Sequence, residues 1–275
     1  MLGKLLKYDL KYMLQNMSLF YILCLIFAVT TRIFFSIDQT VIIKIIGQIS
    51  VGCLFAMVFN ILINTVMRSW VRFSDSIYKD ESYLTYTLPV TKNAIYDSKF
   101  IQTLVFFTVG FAIVILSLFI AYYTEERWEI LKGIINGLST SLNVNTIFFV
   151  TGFLAVVFLE VFNAIQCGFL GIIAGNTQNN NKTLLSVVFG LAAYMASQTL
   201  VLILMFIIGL FNNNIMDLFT SEVVLTNSSI KLLVILAIVI YLITIIVMNI
   251  VILNFSVINV NHLMEMIQVE IVLYV

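Results

Sequence analysis

One proline, one histidine and three cysteines are all that the 275 residues contain of those types, and charged side chains make up only 10% of the chain. Each scarcity excludes something. The lone histidine, His262, cannot supply a two-histidine zinc site, and no H-E-x-x-H pattern occurs. Serine chemistry fares no better, because there is no G-x-S-x-G elbow and an intramembrane nucleophile would have only His262, in the tail, as its base. No G-x-x-x-x-G-K-[ST] run exists to cradle a nucleotide's phosphates. Catalysis by this chain alone is not expected, and no cofactor is implied. Cys24, Cys53 and Cys167 fall in separate apolar runs, away from one another and from His262, so they read as packing residues rather than disulfide partners or metal ligands. Fourteen basic and fourteen acidic residues cancel, and no excess of either sign points to nucleic acid.

Apolar residues fill the space that these absences leave. They form 61% of the chain, 23 of them phenylalanine, and the mean hydropathy is +1.09. That leaves too little polar surface to coat a soluble globule of this size, so the sequence predicts an all-α polytopic membrane protein. A helix needs about 20 apolar residues to cross the hydrocarbon core. Six segments qualify, roughly 17–37, 41–67, 100–123, 147–175, 184–211 and 230–253, which places both termini on one side as a single transmembrane domain spanning 1–275. With the N-terminus inside, the cytoplasmic segments hold Lys4, Lys7, Lys11, Arg68, Arg72, Lys79, Lys92, Lys99 and Lys182. Arg32, Lys44, Arg127, Lys132 and Lys231 remain outside, so the positive-inside bias puts both ends in the cytoplasm.

The opening "MLGKLLKYDLKYMLQNM" has lysines spread through it and no uninterrupted apolar core before a small-residue cleavage site, which does not fit a cleaved signal peptide. Over residues 1–16, Leu2, Leu5, Leu6, Leu10, Met13 and Leu14 share one helical stripe, with Lys4, Lys7, Lys11 and Gln15 opposite. That pattern predicts an amphipathic interfacial helix on the inner leaflet; an extension of the first span is the alternative. Two outer loops, 124–146 and 212–229, contain "GLSTSLNVN" and "LTNSS", turn-rich runs expected to be irregular. "GNTQNNNKT" between spans four and five is expected to be a short solvated turn.

Charge inside the spans is rare. Glu160 lies near the middle of the fourth, where a carboxylate costs at least a few kcal/mol unless it is paired, protonated or facing water. Asn163 and Cys167 follow on nearly the same face, with Gln166 to one side, next to a small-residue stripe of Ala164, Gly168, Gly171 and Gly175. Glu160, Asn163, Cys167, Gly168 and Gly171 are therefore candidates either for lining a pathway or for helix packing, with Glu160 joining two helices through a hydroxyl or amide in the second case.

The longest polar stretch, "DESYLTYTLPVTKNAIYDSKF" at residues 80–100, contains the only proline, Pro89. The helical pattern of the second span continues into it, with Trp70, Phe73, Ile77 and Leu84 able to share a face and Asp75 and Lys79 forming an i,i+4 pair on another. Pro89 disfavours helix at Leu88, and Thr91 is placed to cap the helix that enters span three. The segment therefore reads as helix, break, helix, with Tyr78, Tyr83 and Tyr86 exposed among charges, the mixture of a docking surface. "KDESYLTYTLPVTKNAIYDSKF" resembles the cytoplasmic loop of ABC-2 type transporter permeases, in which an acidic residue precedes Y-L, a T-L-P-V-[ST] core and a lysine entering the third span. "MLGKLLKYDLKYMLQN" is similar to that family's amphipathic N-terminal helix, and the six spans agree. The resemblance implies a permease subunit of an ATP-driven exporter, with a cytoplasmic coupling helix at about 72–86 between spans two and three and a coupling loop over 68–99. It also implies a second permease chain, identical or homologous, and a separate ABC ATPase subunit in a bacterial cytoplasmic membrane. Asp80, Glu81, Ser82, Tyr83 and Leu84 would approach the ATPase, and Pro89 would set the angle to span three. Wide apolar faces suit an amphipathic or hydrophobic cargo such as a peptide, antimicrobial or lipid. The chain departs from the family in its 254–275 tail, "NFSVINVNHLMEMIQVEIVLYV", which has Glu265 and Glu270 but no lysine or arginine where a basic cytoplasmic tail is usual. The alternatives are an ion- or proton-coupled secondary transporter using Glu160 and a non-transporting immunity or sensor protein. Reporter fusions test the predicted topology: alkaline phosphatase should be active when joined within 124–146 and inactive at the C-terminus, and the reverse pattern would invert the orientation.

Overall fold

Long unbroken apolar runs without proline can satisfy their backbone groups within hydrocarbon only as helices. The computed structural model describes residues 2–37, 40–79, 81, 82, 85, 91–123, 125–142, 144–178, 181–211 and 227–273. Its helices are α1 (Leu2–Ser36), α2 (Val41–Tyr78), α3 (Lys92–Tyr122), α4 (Glu125–Ser141), α5 (Thr146–Asn176), α6 (Lys182–Phe211) and α7 (Asn227–Leu273). Among the described residues there is no strand, and six helices, all but α4, are long and apolar enough to cross a membrane. The chain is an all-α multi-pass membrane protein.

Helix boundaries fall where side chains replace missing backbone partners. Thr91 Oγ1 accepts from the Ala94 amide at 3.4 Å to open α3, as its sequence position predicts, and Asn145 Oδ1 accepts from the Ile147 amide at 2.9 Å to open α5. Asn181, the last residue of the asparagine run, takes a left-handed φ of 51° immediately before α6, a conformation that asparagine tolerates better than most residues.

The helices form two compact units, residues 1–131 and 132–275. In the first, α1, α2 and α3 pack on one another around Met13, Met17, Tyr21, Cys24 and Ala28 of α1, Leu54, Val58 and Ile61 of α2, and Phe106, Val114 and Ala121 of α3. The α1 stripe runs at spacings of four, four, three and four residues without interruption. Residues 2–16 continue the first span in one 35-residue helix, the alternative raised from the sequence, and Met13 is fully buried. Protein covers part of the amphipathic segment's apolar stripe, Met13 fully and Leu5, Leu6 and Leu10 partly, while Leu14 stays 57% exposed.

A correction concerns 124–146, where the 17-residue α4 takes in "GLSTS" of the run expected to be irregular. Its hydroxyls bond back into the helix, Ser139 Oγ and Thr140 Oγ1 to Asn136 O and Ser141 Oγ to Leu138 O, so turn-forming residues are held in helical conformation. Helix likewise takes in "NSS" of the second expected loop and runs on to Leu273, through most of the segment expected to be a tail.

In the second unit α5 packs against both α6 and α7. Small residues allow the α5/α6 approach. A Cβ built on Gly171 would lie 2.4–2.5 Å from backbone atoms of Gly190 and Ser186, and one on Gly175 would meet Ser186 atoms at 2.2–2.5 Å. Gly168 is part of the same contact, 3.7 Å from a Cβ built on Gly190. No side chain can rotate out of a clash with backbone, so the helices would have to part. Gly171→Ala should destabilise the protein by about 1–3 kcal/mol. Gly133→Ala in α4, where a Cβ meets nothing within 4 Å, should be neutral or slightly stabilising. Thermal unfolding in detergent compares the two, and equal behaviour would rule out the tight crossing.

Candidate functional site

Two polar clusters stand out in an otherwise apolar protein, one in each unit. In the first, Asp9 occupies a position within the apolar stripe of α1, four residues before Met13, and is buried against α2 and α3. Its Oδ1 accepts from Arg72 Nε at 3.1 Å, from Arg72 Nη2 at 3.0 Å and from Lys99 Nζ at 2.5 Å, while Oδ2 accepts from Ser98 Oγ at 2.8 Å. The side chains of Asp9, Lys99 and Arg72 are only 3%, 6% and 12% exposed. Arg72 is further held by its guanidinium lying 4.5 Å from the centre of the Tyr12 ring. Its remaining nitrogen, Nη1, pairs with Glu81 in the connection between α2 and α3. Two cations and two carboxylates therefore balance, and one guanidinium joins α1 to that connection.

Local sequence explains why these groups meet. α2 projects to Tyr78 with Phe73 and Ile77 buried, and Phe73 meets Tyr96 of α3 edge-on at 6.3 Å. The Thr91 cap sets the register of α3, which places Ser98 and Lys99 two turns later on the face towards α1. The expected Asp75–Lys79 pair forms at 2.8 Å on the outer face.

Of the residues expected to grip a partner, Glu81 is 48% exposed and bound to Arg72. Ser82 donates its amide to Lys79 O at 2.8 Å, and Thr85 donates its own to Glu81 O at 3.0 Å, so the described part of the connection is helical turn. Tyr78 is half-buried rather than exposed, because it ends a helix whose last two turns are packed. Asp80, Tyr83, Leu84, Tyr86 and Pro89 lie outside the described residues. Sequence reasoning counted Arg72 and Lys99 as topology signals and missed Asp9 altogether. The available signal was a lone carboxylate on the apolar stripe of an amphipathic helix.

The second cluster is centred on Glu160 of α5. Its Oε1 accepts from Tyr194 Oη at 2.5 Å and from Gln198 Nε2 at 2.7 Å, both on α6, and Gln198 Oε1 in turn accepts from Tyr241 Oη of α7 at 3.5 Å. One turn on, Asn163 Nδ2 donates to Ser197 Oγ of α6 at 2.9 Å, and Cys167 Sγ lies 3.8 Å from the same oxygen. Gln166 faces the other way and donates to Ile245 O of α7 at 3.4 Å. Thus a hydroxyl and an amide do tie Glu160 to a neighbouring helix, and the polar stripe joins all three helices of the unit. Among the described residues no group of three histidine, cysteine or carboxylate side chains could hold a metal ion, and all three cysteines are free.

Removing one partner of a buried ion cluster leaves the others uncompensated, at about 3–5 kcal/mol. Asp9→Asn should lose stability on that scale, because it strands Lys99 and leaves Arg72 only the half-exposed Glu81. Lys99→Met should cost much less, since Asp9 keeps Arg72, and Glu81→Ala, at a half-exposed site, about 0–1 kcal/mol. Unfolding midpoints of the three variants check that order, and a mild Asp9→Asn would contradict the geometry.

The chain matches no family model, no curated protein and no solved structure.

Proposed function

We propose that the chain is the membrane-spanning permease subunit of an ATP-driven exporter of the ABC-2 type, in which two permease chains form the pathway and separate ATPase subunits hydrolyse ATP. The observation that supports this reading most is the Arg72 junction. A force on the 72–86 segment acts on Arg72 directly and through Glu81, and from there on α1 through Asp9 and on α3 through the Lys99 that shares the same carboxylate. α2 is one unbroken helix of 38 residues, about 57 Å long at the usual rise, so it delivers the displacement along its whole length. An ATPase that changes its docking geometry on binding nucleotide would thus bias two arrangements of α1, α2 and α3.

Absence of a nucleotide-binding motif is consistent with a division of labour in which this subunit supplies only the pathway. Both termini lie in the cytoplasm in this scheme, and the 79–91 connection faces the ATPase. The cargo is an amphipathic or hydrophobic molecule that can partition against wide apolar helix faces.

Purification of tagged protein from its native membrane in mild detergent, followed by mass spectrometry, tests the proposal. An ABC ATPase should accompany the wild type and be lost from Glu81→Ala/Tyr83→Ala. Because Glu81 is half-exposed while Arg72 keeps its bond to Asp9, that variant should unfold at nearly the wild-type temperature, which separates lost docking from lost structure. If the wild type brings no ATPase with it under conditions that preserve other membrane complexes, the exporter reading fails.

A further inference from the structure

Hydrogen-bond direction in the second unit is determined at each amide. Asn163 Nδ2 must be the donor to Ser197 Oγ, because the serine's own proton goes to Tyr194 O at 2.9 Å. Gln166 can only donate to Ile245 O, since a carbonyl has no proton to give. These assignments leave Asn163 Oδ1 and Gln166 Oε1 as the free ends of side chains that are both 0% exposed, and neither oxygen has a partner among the described residues. Glu160 repeats the pattern: Tyr194 and Gln198 converge on Oε1, and Oε2, sealed from the exterior, makes no hydrogen bond of good geometry, with the Tyr241 hydroxyl of α7 the nearest further donor to the carboxylate.

The three unpartnered buried oxygens therefore lie on one helix at successive spacings of three residues, and all are acceptors. Glu160 and Asn163 are one turn apart against α6, and Gln166 is about 9 Å of helix rise beyond Glu160, against α7. Cationic side chains are remote. In α5, α6 and residues 231–254 of α7 the only ones are Lys182 and Lys231, each near the start of its helix. Tyr194 and Tyr241, which reach the cluster, lie 12 and 10 residues beyond those lysines (194 − 182 and 241 − 231), or at least about 15 Å of rise. The other titratable groups beside Glu160 are Tyr194, Tyr241 and Cys167, none of which carries positive charge.

We propose that Glu160 Oε2 and Asn163 Oδ1 form the core of a binding site for a desolvated monovalent cation of the alkali class, with Gln166 Oε1 the next oxygen along its path. Hard oxygen donors of one carboxylate and neutral amides suit such an ion. One positive charge neutralises Glu160, whereas a divalent ion would leave a net charge in the apolar interior. A shared proton would supply one bond between Glu160 and Asn163, whereas a cation with retained water can engage Oε2 and Oδ1 together. Occupancy would lock α5 to α6 and α7 at mid-span. The proposal stands independently of the ATPase reading.

The test uses the purified full-length protein in mild detergent, unfolded thermally at fixed pH in sodium chloride or in N-methyl-D-glucamine chloride at equal ionic strength. Wild type should show a saturable rise of a few degrees in Tm with sodium. Glu160→Gln, which keeps the shape and the Tyr194 and Gln198 contacts, should abolish the rise, and Asn163→Ser should weaken it. Retention of radiolabelled sodium by the wild type, displaced by unlabelled sodium, needs no variant and serves if Glu160→Gln does not fold. A Tm indifferent to sodium together with no retained label would overturn the proposal. So would a stability that follows pH through the carboxylate range and ignores sodium, which would assign the site to a proton.

Discussion

Hydrocarbon offers no water to a polar group, so every charge and amide carried into a transmembrane helix bundle must find its partner in protein or keep an unmet demand. Two clusters, one in each unit, carry the largest groupings of that demand among the described residues. The first unit meets it with opposite charges: Asp9 satisfies two cations and a hydroxyl, and Arg72 spends its planar fork on both Asp9 and Glu81. The second unit meets it with neutral donors, Tyr194, Gln198 and Ser197, and leaves three oxygens over. Opposite charges can close a cluster completely, whereas amides and hydroxyls pass direction from one residue to the next until an end is left open.

Much of the architecture could be read from the sequence because it depends on local composition. Six apolar segments of sufficient length are helices in any membrane-like setting, and the overrun of α2, the Thr91 cap and the Asp75–Lys79 pair each rest on residues within a few positions of one another. What could not be read depends on partners remote in sequence. Asp9 meets Arg72 and Lys99 across 63 and 90 residues, a distance over which periodicity says nothing. The stripe on residues 2–16 looks the same whether lipid or protein covers it, and only the packing of α1 against α2 and α3, which periodicity does not report, decides between them. α4 was obscured because serine, threonine and asparagine signal turns on average, yet their hydroxyls also bond to carbonyls one turn back. At Glu160 the sequence announced that a partner was required and even its chemical kind, but not that only one carboxylate oxygen would receive it.

Arginine at position 72 is not interchangeable with lysine. A guanidinium presents donors in a fixed plane, so it can contact Asp9 through Nε and Nη2 and still direct Nη1 towards Glu81 while stacking near Tyr12. An ammonium group at the same place would be a point charge shared between competing carboxylates, with no geometry to keep the connection and α1 in register. Lys99 by contrast serves a single carboxylate, for which a point charge is enough.

The two arms of Arg72 differ in what it takes to break them. Asp9 is almost fully buried, and parting it from Arg72 exposes charge to a medium that cannot solvate it. Glu81 is half-exposed, so water replaces Arg72 at small cost. The contact with the connection can therefore open and close while the contact with α1 persists. In the proposed exporter this asymmetry has a mechanical meaning. A docked partner could compete for Glu81, or reinforce its hold on Arg72, without dismantling the helix bundle, and the persistent Asp9 arm would pass whichever state results to α1 and, through Lys99, to α3. Coupling of this kind needs one joint that is easily made and broken in series with one that is not, and the difference in burial between two carboxylates on the same guanidinium provides it.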